Sequence, residues 1–183
     1  RWWYVDGLSD DGRRGFTAIF LVGHVFSPWL SARARRGERV PPVEHLGLHL
    51  ALYEDGRPVG WTMAEYDASR LVAGERALRI GDSELAMHDD GSLEGSFATR
   101  TAPVFWSGLG VGSALRGRFR LEAGGPVPGA IELGRASDGA LHFWQPRTPS
   151  AAIEVEFERP RFSFRGRGYH DGNWGMGRLE EAF

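Results

Sequence analysis

The chain has 183 residues, enough for one full domain, and 42% are hydrophobic, so a sizeable core is available and wholesale disorder is excluded. All 22 basic residues are arginine, against 24 acids, and the net charge of -2 gives no bulk attraction to nucleic acid or anionic lipid. With no Cys, disulfides, thiolate metal sites and cysteine nucleophiles are excluded.

Gly and Pro punctuate the chain, and the segments between them alternate with the period of strands. The pattern predicts a strand over Gly15–Phe26, whose apolar run is too short for a bilayer span of about 20 residues. Ser27 as N-cap and Pro28 at the first helical position predict a short helix over Pro28–Arg36. His45–Glu54 and Val59–Tyr66 flank Asp55-Gly56, a hairpin signal. Further strands are expected over Leu78–His88, Ser92–Thr101, Leu115–Glu122, Ala130–Ala136, Ala140–Trp144, Ile153–Glu158 and Arg161–Arg165. The expectation is an all-β protein: one antiparallel barrel or sandwich over residues 1–183, of some nine or ten strands, in which closure would remove the exposed edges. A barrel of that size can enclose one apolar ligand. The first residue is Arg1 rather than Met, as expected of a piece of a longer protein.

The densest polar-aromatic cluster lies near the C-terminus. His142 and Trp144 are two apart and share a strand face, as do Tyr169 and Asp171. Facing inward together, they would place a carboxylic acid, an imidazole, a phenol and an indole in one apolar cavity. A plainer reading makes Asp171 a turn cap and His142 a satisfied core histidine, the commoner case on composition alone. Glu65 is a second acid that would face inward, while Asp6, Asp10 and Asp11 read as turn residues. His45 and His49 lie about 13 Å apart along a strand, too far for one ion, so no metal site is expected. Ser31–Arg39 reads as a solvated loop, and the glycines of Ser107–Ser113 lack the context of a phosphate loop.

Several segments together resemble the carotenoid 1,2-hydratase (hydroxyneurosporene synthase) family. They are Trp3-Tyr4-Val5-Asp6-Gly7-Leu8-Ser9-Asp10-Asp11-Gly12, Val25-Phe26-Ser27-Pro28, Met63-Ala64-Glu65, His142-Phe143-Trp144, Gly168-Tyr169-His170-Asp171 and Leu179-Glu180-Glu181-Ala182-Phe183. They run in the family's order over nearly the whole chain, with Leu109–Pro128 departing from the pattern. The resemblance implies a lipocalin-like barrel, the first of two, and a cofactor-independent hydratase acting on the terminal C1–C2 double bond of an acyclic carotenoid. Asp171 would be the acid, kept protonated by burial, with Tyr169 positioning it. Trp144 would face the developing cation, joined by Phe105 or Trp106, and His142 would orient the water. Glu65 and Trp174 complete the expected lining, and the surplus of aromatics would line a tunnel for the polyene. No nucleic acid is expected as partner. The expected location is bacterial, in the cytoplasm or peripheral to a membrane touched by Trp29, Leu30 and the arginine loop. Two rival readings use the same barrel: a non-catalytic carrier of a lipid or pigment, and a pericyclase or terpene-type cyclase.

Overall fold

A computed structural model of the protein describes residues 1–102, 112–135 and 139–175. Phe105 and Trp106 lie outside them. The chain enters through β1 (Trp2–Ser9) and β2 (Arg14–Val22), then α1 (Pro28–Arg35), β3 (Leu46–Glu54) and β4 (Arg57–Tyr66). Short strands follow: β5 (Leu71–Ala73), β6 (Ala77–Ile80) and β7 (Ser83–Met87), then β8 (Leu93–Arg100), β9 (Ala114–Leu121) and β10 (Ile131–Arg135). Two long strands end it, β11 (Leu141–Arg159) and β12 (Phe162–Gly175). Every pairing is antiparallel.

The sheet runs β4-β3-β2-β1-β12-β11-β9-β8-β7-β6-β5, with β10 beside β11. This is the all-β, lipocalin-like class expected. It differs in closure: no ladder joins β4 to β5, and the sheet instead curls until β3 meets β6 and β4 meets β8.

The segment Leu78–His88 holds two strands rather than one, because Gly81 adopts φ +64 and turns Ile80 back onto Ser83. In the opposite sense, β11 runs unbroken through Pro146 and Pro149. Register shifts on either side of Thr148 absorb both prolines, which a regular ladder would reject. The helix forms as its cap signal predicts, with the Leu30 N–H donating to Ser27 Oγ at 3.0 Å.

Alternation sends Val5, Phe16, Ala18, Phe20, Leu48 and Leu50 to the inner face of the curl. There the rings of Phe16, Phe97, Phe119 and Phe157 meet, Phe16 and Phe119 with centroids 5.3 Å apart and Phe97 stacked on Phe157 at 5.7 Å. Gly95 and Gly117 make room: a Cβ at either would collide with Phe119 or Phe157 across the ladder. The phenylalanines therefore occupy the middle of the curl, on the path where an enclosed polyene tunnel was expected.

Truncating a ring in such a packed cluster removes its burial and leaves a void. Phe119→Ala is expected to lower unfolding free energy by about 3–5 kcal/mol, read as a lower denaturant midpoint at unchanged slope. A cost under about 1 kcal/mol would mean that the interior is not tightly packed.

Candidate functional site

In β12 the even-numbered residues, including Phe162, Phe164 and His170, turn to the core. Tyr169, Asp171 and Asn173 therefore stand on the opposite, outer face. In β1 the core takes Val5, which leaves Tyr4 and Asp6 outside. Register places Tyr4 across from Asp171 and Asp6 across from Tyr169. On the other flank, Trp144 of β11 pairs with Asn173. The four residues of the predicted cluster thus do converge, but outside the curl and not within it.

Asp171 is the hub. Its Oδ2 accepts from Trp144 Nε1 at 2.9 Å and from the Tyr169 hydroxyl at 2.8 Å, and its Oδ1 accepts from Asn173 Nδ2 at 3.0 Å. It sits in mid-strand, only 8% exposed, so the turn-cap reading does not hold. Burial, then the bond to Asp171, pushes the Tyr169 phenol above its usual range, keeping it a donor at neutral pH. Asn173 also bonds to His142. Burial lowers the His142 pKa against that bond, which keeps the imaizole neutral near pH 7 and able to accept a proton. The His142 ring lies 5.3 Å from that of Trp2.

Tyr4 and Asp6 repeat the arrangement, the Tyr4 hydroxyl donating to Asp6 Oδ2 at 3.0 Å. Burial, followed by the nearby Asp6, pushes the Tyr4 phenol up to about 12. The Asp6 carboxyl is raised, chiefly by burial and further by the charge of Asp171, while its bond from Tyr4 opposes the rise. Asp6 is a strand residue, not a turn residue. The overlooked signal is that Tyr-x-Asp, present also at the Tyr53-Glu54-Asp55 turn, occurs within two strands, at Tyr4-Val5-Asp6 and Tyr169-His170-Asp171.

Two other predicted residues fall elsewhere. Trp174 projects from the opposite side of β12 to Asp171 and stacks on Phe143 at 5.8 Å. Glu65 stands on the outer face, but four strands away through Trp2, Leu21 and Gly47, or about 19 Å along the sheet. There its Oε1 accepts from Ser27 Oγ at 2.7 Å and meets His45 Nδ1 at 2.6 Å. It fastens the cap of α1 to β4, a bracing role that accounts for Glu65 without substrate.

Comparison with known proteins adds family evidence. The model of the family described as carotenoid hydratase CrtC matches residues 18–183. Acyclic carotenoid 1,2-hydratase of Thiocapsa roseopersicina is 36% identical over 100% of this chain and 42% of its own length. The enzyme of the same name from Rubrivivax gelatinosus is 34% identical, with the same coverage of both chains. The chain spans less than half the length of these relatives. A solved structure from Nitrosomonas europaea, provisionally assigned to AttH, superposes with a TM-score of 0.60 at 15% identity, covering 97% of this chain and 52% of that one. That likeness concerns fold alone.

Directly behind the site, His170 is 1% exposed, and its Nδ1 lies 2.9 Å from the Tyr4 carbonyl oxygen. Burial lowers its pKa to about 4. An unfolded imidazole binds its proton near pH 6.5. The stability owed to neutral His170 is thus complete above that pH and lost as pH falls toward 4. Thermal unfolding between pH 7 and 4 is expected to show a wild-type decline that His170→Asn makes shallower by roughly 3 kcal/mol. Parallel curves would show that His170 is not held neutral.

Proposed function

The chain belongs to the carotenoid hydratase CrtC family, and from that premise we propose that the protein containing it adds water across the terminal C1–C2 double bond of an acyclic carotenoid. The observation that carries this reading is the buried carboxyl of Asp171, ringed by Trp144, Tyr169 and Asn173, with neutral His142 beyond Asn173. Hydration of a trisubstituted alkene starts with a proton delivered to C2, which leaves a tertiary cation at C1. Asp171 delivers that proton from Oδ1. In the acid form the Asn173 amide turns its carbonyl to accept from that oxygen, since either end of an amide can face a partner.

Tyr169 and the Trp144 indole N–H fix Oδ2 and so aim the carboxyl. The Trp144 ring, held beside the acid by that bond, presents a π-face to the cation, a contact worth about 2 kcal/mol when desolvated. Water then attacks C1, and His142 takes its proton. Asn173, bonded to both His142 and Asp171, joins the base to the acid that must be recharged. Every step uses a carboxyl, an imidazole and water, and none calls on a cofactor or metal.

The same reading makes residues 1–183 the first of two lipocalin-like barrels, in keeping with the share of its relatives that the chain spans. The polyene lies along the outer face of β1, β12 and β11, since the inner face is occupied by phenylalanine. A peripheral membrane contact would deliver it: Trp29 is 70% and Phe26 60% exposed at the start of α1. Arg33 and Arg36 are tied to Glu38, so Arg35 and Arg39 are the cations left to meet a headgroup. No helix among the described residues is long and apolar enough to cross a membrane.

Incubating the full-length protein with lycopene or neurosporene is expected to give a product one water heavier by mass spectrometry. A spectral shift alone would favour the carrier, and an isomer of unchanged mass the cyclase. Asp171→Asn is expected to remove at least about 100-fold of the rate, the lower end for losing a general acid, while pigment binding persists. Hydration surviving in that variant would end the assignment. Trp144→Phe keeps a π-face but loses the bond to Asp171, and a smaller loss in kcat is expected.

A further inference from the structure

One charged side chain on the inner face has no part in the outer-face site. Arg147 occupies the register shift of β11 between Pro146 and Thr148. A bulged residue leaves the ladder, and its side chain is re-aimed. Here the guanidinium reaches the inner side, where Gly172 leaves it room: a Cβ at Gly172 would stand 3.2 Å from Arg147 Nε. Arg147 lines a cavity of about 200 Å³ at the end of the curl where β1 begins. Arg1, Trp3 and His170 line the same cavity, and Leu78, Leu85 and Leu93 give it an apolar wall.

Many arginines of the outer surface are neutralised by acids: Arg14 by Glu54, Arg118 by Glu156, Arg165 by Glu154. At the rim of this cavity Arg76 is likewise paired with Asp89. Arg147 has no such partner among the described residues, and its Nε is shut off from solvent without a hydrogen bond. Burial, and then the neighbouring charge of Arg1, lowers its pKa. A guanidinium stays charged all the same, so holding it half out of water without an anion costs stability. The other charges do not remove that cost. The Arg1 guanidinium lies 4.6 Å over the Trp3 ring, and the one further acid of the lining, Glu75, stands at the exposed rim. The cavity is left with one positive charge in excess.

We propose that this cavity binds a small amphiphilic carboxylate, its anionic head on the Arg147 guanidinium and its apolar body against Leu78, Leu85 and Leu93. A guanidinium presents a planar fork of donors that a carboxylate accepts with both oxygens. One positive charge in excess matches a monoanion, and the leucines match an aliphatic body. Free phosphate offers neither. The volume is below the roughly 300–1,000 Å³ of sites for drug-sized ligands, so the body is short. The site lies on the inner side of β12 and is independent of the reaction assigned to the outer face, whose substrate is a neutral hydrocarbon.

The test is calorimetric titration of the full-length protein at neutral pH with octanoate, beside octanol, which lacks the charge, and inorganic phosphate, which lacks the apolar body. Octanoate is expected to bind saturably at one site, at least about 10-fold more tightly than either control. No binding of octanoate, or equal binding of either control, would overturn the proposal. Arg147→Met keeps the apolar stem and removes the charge, and it is expected to weaken octanoate at least about 10-fold. Unchanged affinity in that variant would equally overturn the proposal. The place of binding is read in the wild type by NMR of the His170 imidazole, assigned with His170→Asn. Its signals are expected to shift with the same Kd as the heat, since His170 and Arg147 line one cavity. Octanoate bound with His170 unmoved would put the ligand elsewhere and overturn the proposal, whether or not Arg147→Met folds.

Discussion

The packing of the inner face constrains everything else in this molecule. Phe16, Phe97, Phe119 and Phe157 fill the middle of the curl, where burying a polar group without a partner would be costly. Strand alternation then dictates where chemistry can be placed: in β1 and β12, every residue next to a core residue faces outward. Tyr4, Asp6, Tyr169, Asp171 and Asn173 are outside because Val5, Phe164 and His170 are inside. Rigid packing on one face fixes the positions of the polar groups on the other, at the middle of the sheet where both flanks of β12 are laddered.

An outward face is ordinarily wet. Here the face is lined with aromatic rings from three strands, and Asp171 remains only 8% exposed. The rings also spend their polar handles on it: the Trp144 indole N–H and the Tyr169 hydroxyl both reach the same oxygen. Removing one such donor would leave a buried oxygen short of a partner and free the carboxyl to rotate. Asn173 differs from them, since its amide can donate or accept. That makes it the member of the cluster compatible with both protonation states of Asp171. The remote bracket of Ser27, His45 and Glu65 has a separate function, holding α1 over the far side of the same sheet.

Much of this was legible in the chain, for physical reasons that can be named. Period-two alternation and the Asp55-Gly56 turn mark β3 and β4, and the Ser27-Pro28 cap marks α1. Two-residue spacing was enough to place His142 with Trp144 and Tyr169 with Asp171. Which face each pair occupies was not legible. Alternation gives a strand two faces, and only the pairing of β12 with β1 tells which one meets the core. Glu65 was misplaced because local pattern carries no distance across a sheet, and Trp174 because its stacking partner, Phe143, lies on another strand. Asp6 was missed for a different reason: near Asp10-Asp11-Gly12 it resembles turn chemistry, and only the pairing of β1 with β12, which sets it across from Tyr169, distinguishes it.

A polyene bound on the outer face of β1, β12 and β11 would lie beside Trp144 and away from the packed rings of Phe97 and Phe119. NMR of the full-length protein titrated with an acyclic polyene in detergent tests this most directly, with the Trp144 indole N–H and the ring signals of Phe97 and Phe119 as reporters. The Trp144 signal is expected to shift saturably while those of Phe97 and Phe119 stay in place. Shifts of the phenylalanine rings with Trp144 unmoved would put the ligand inside the curl and contradict it.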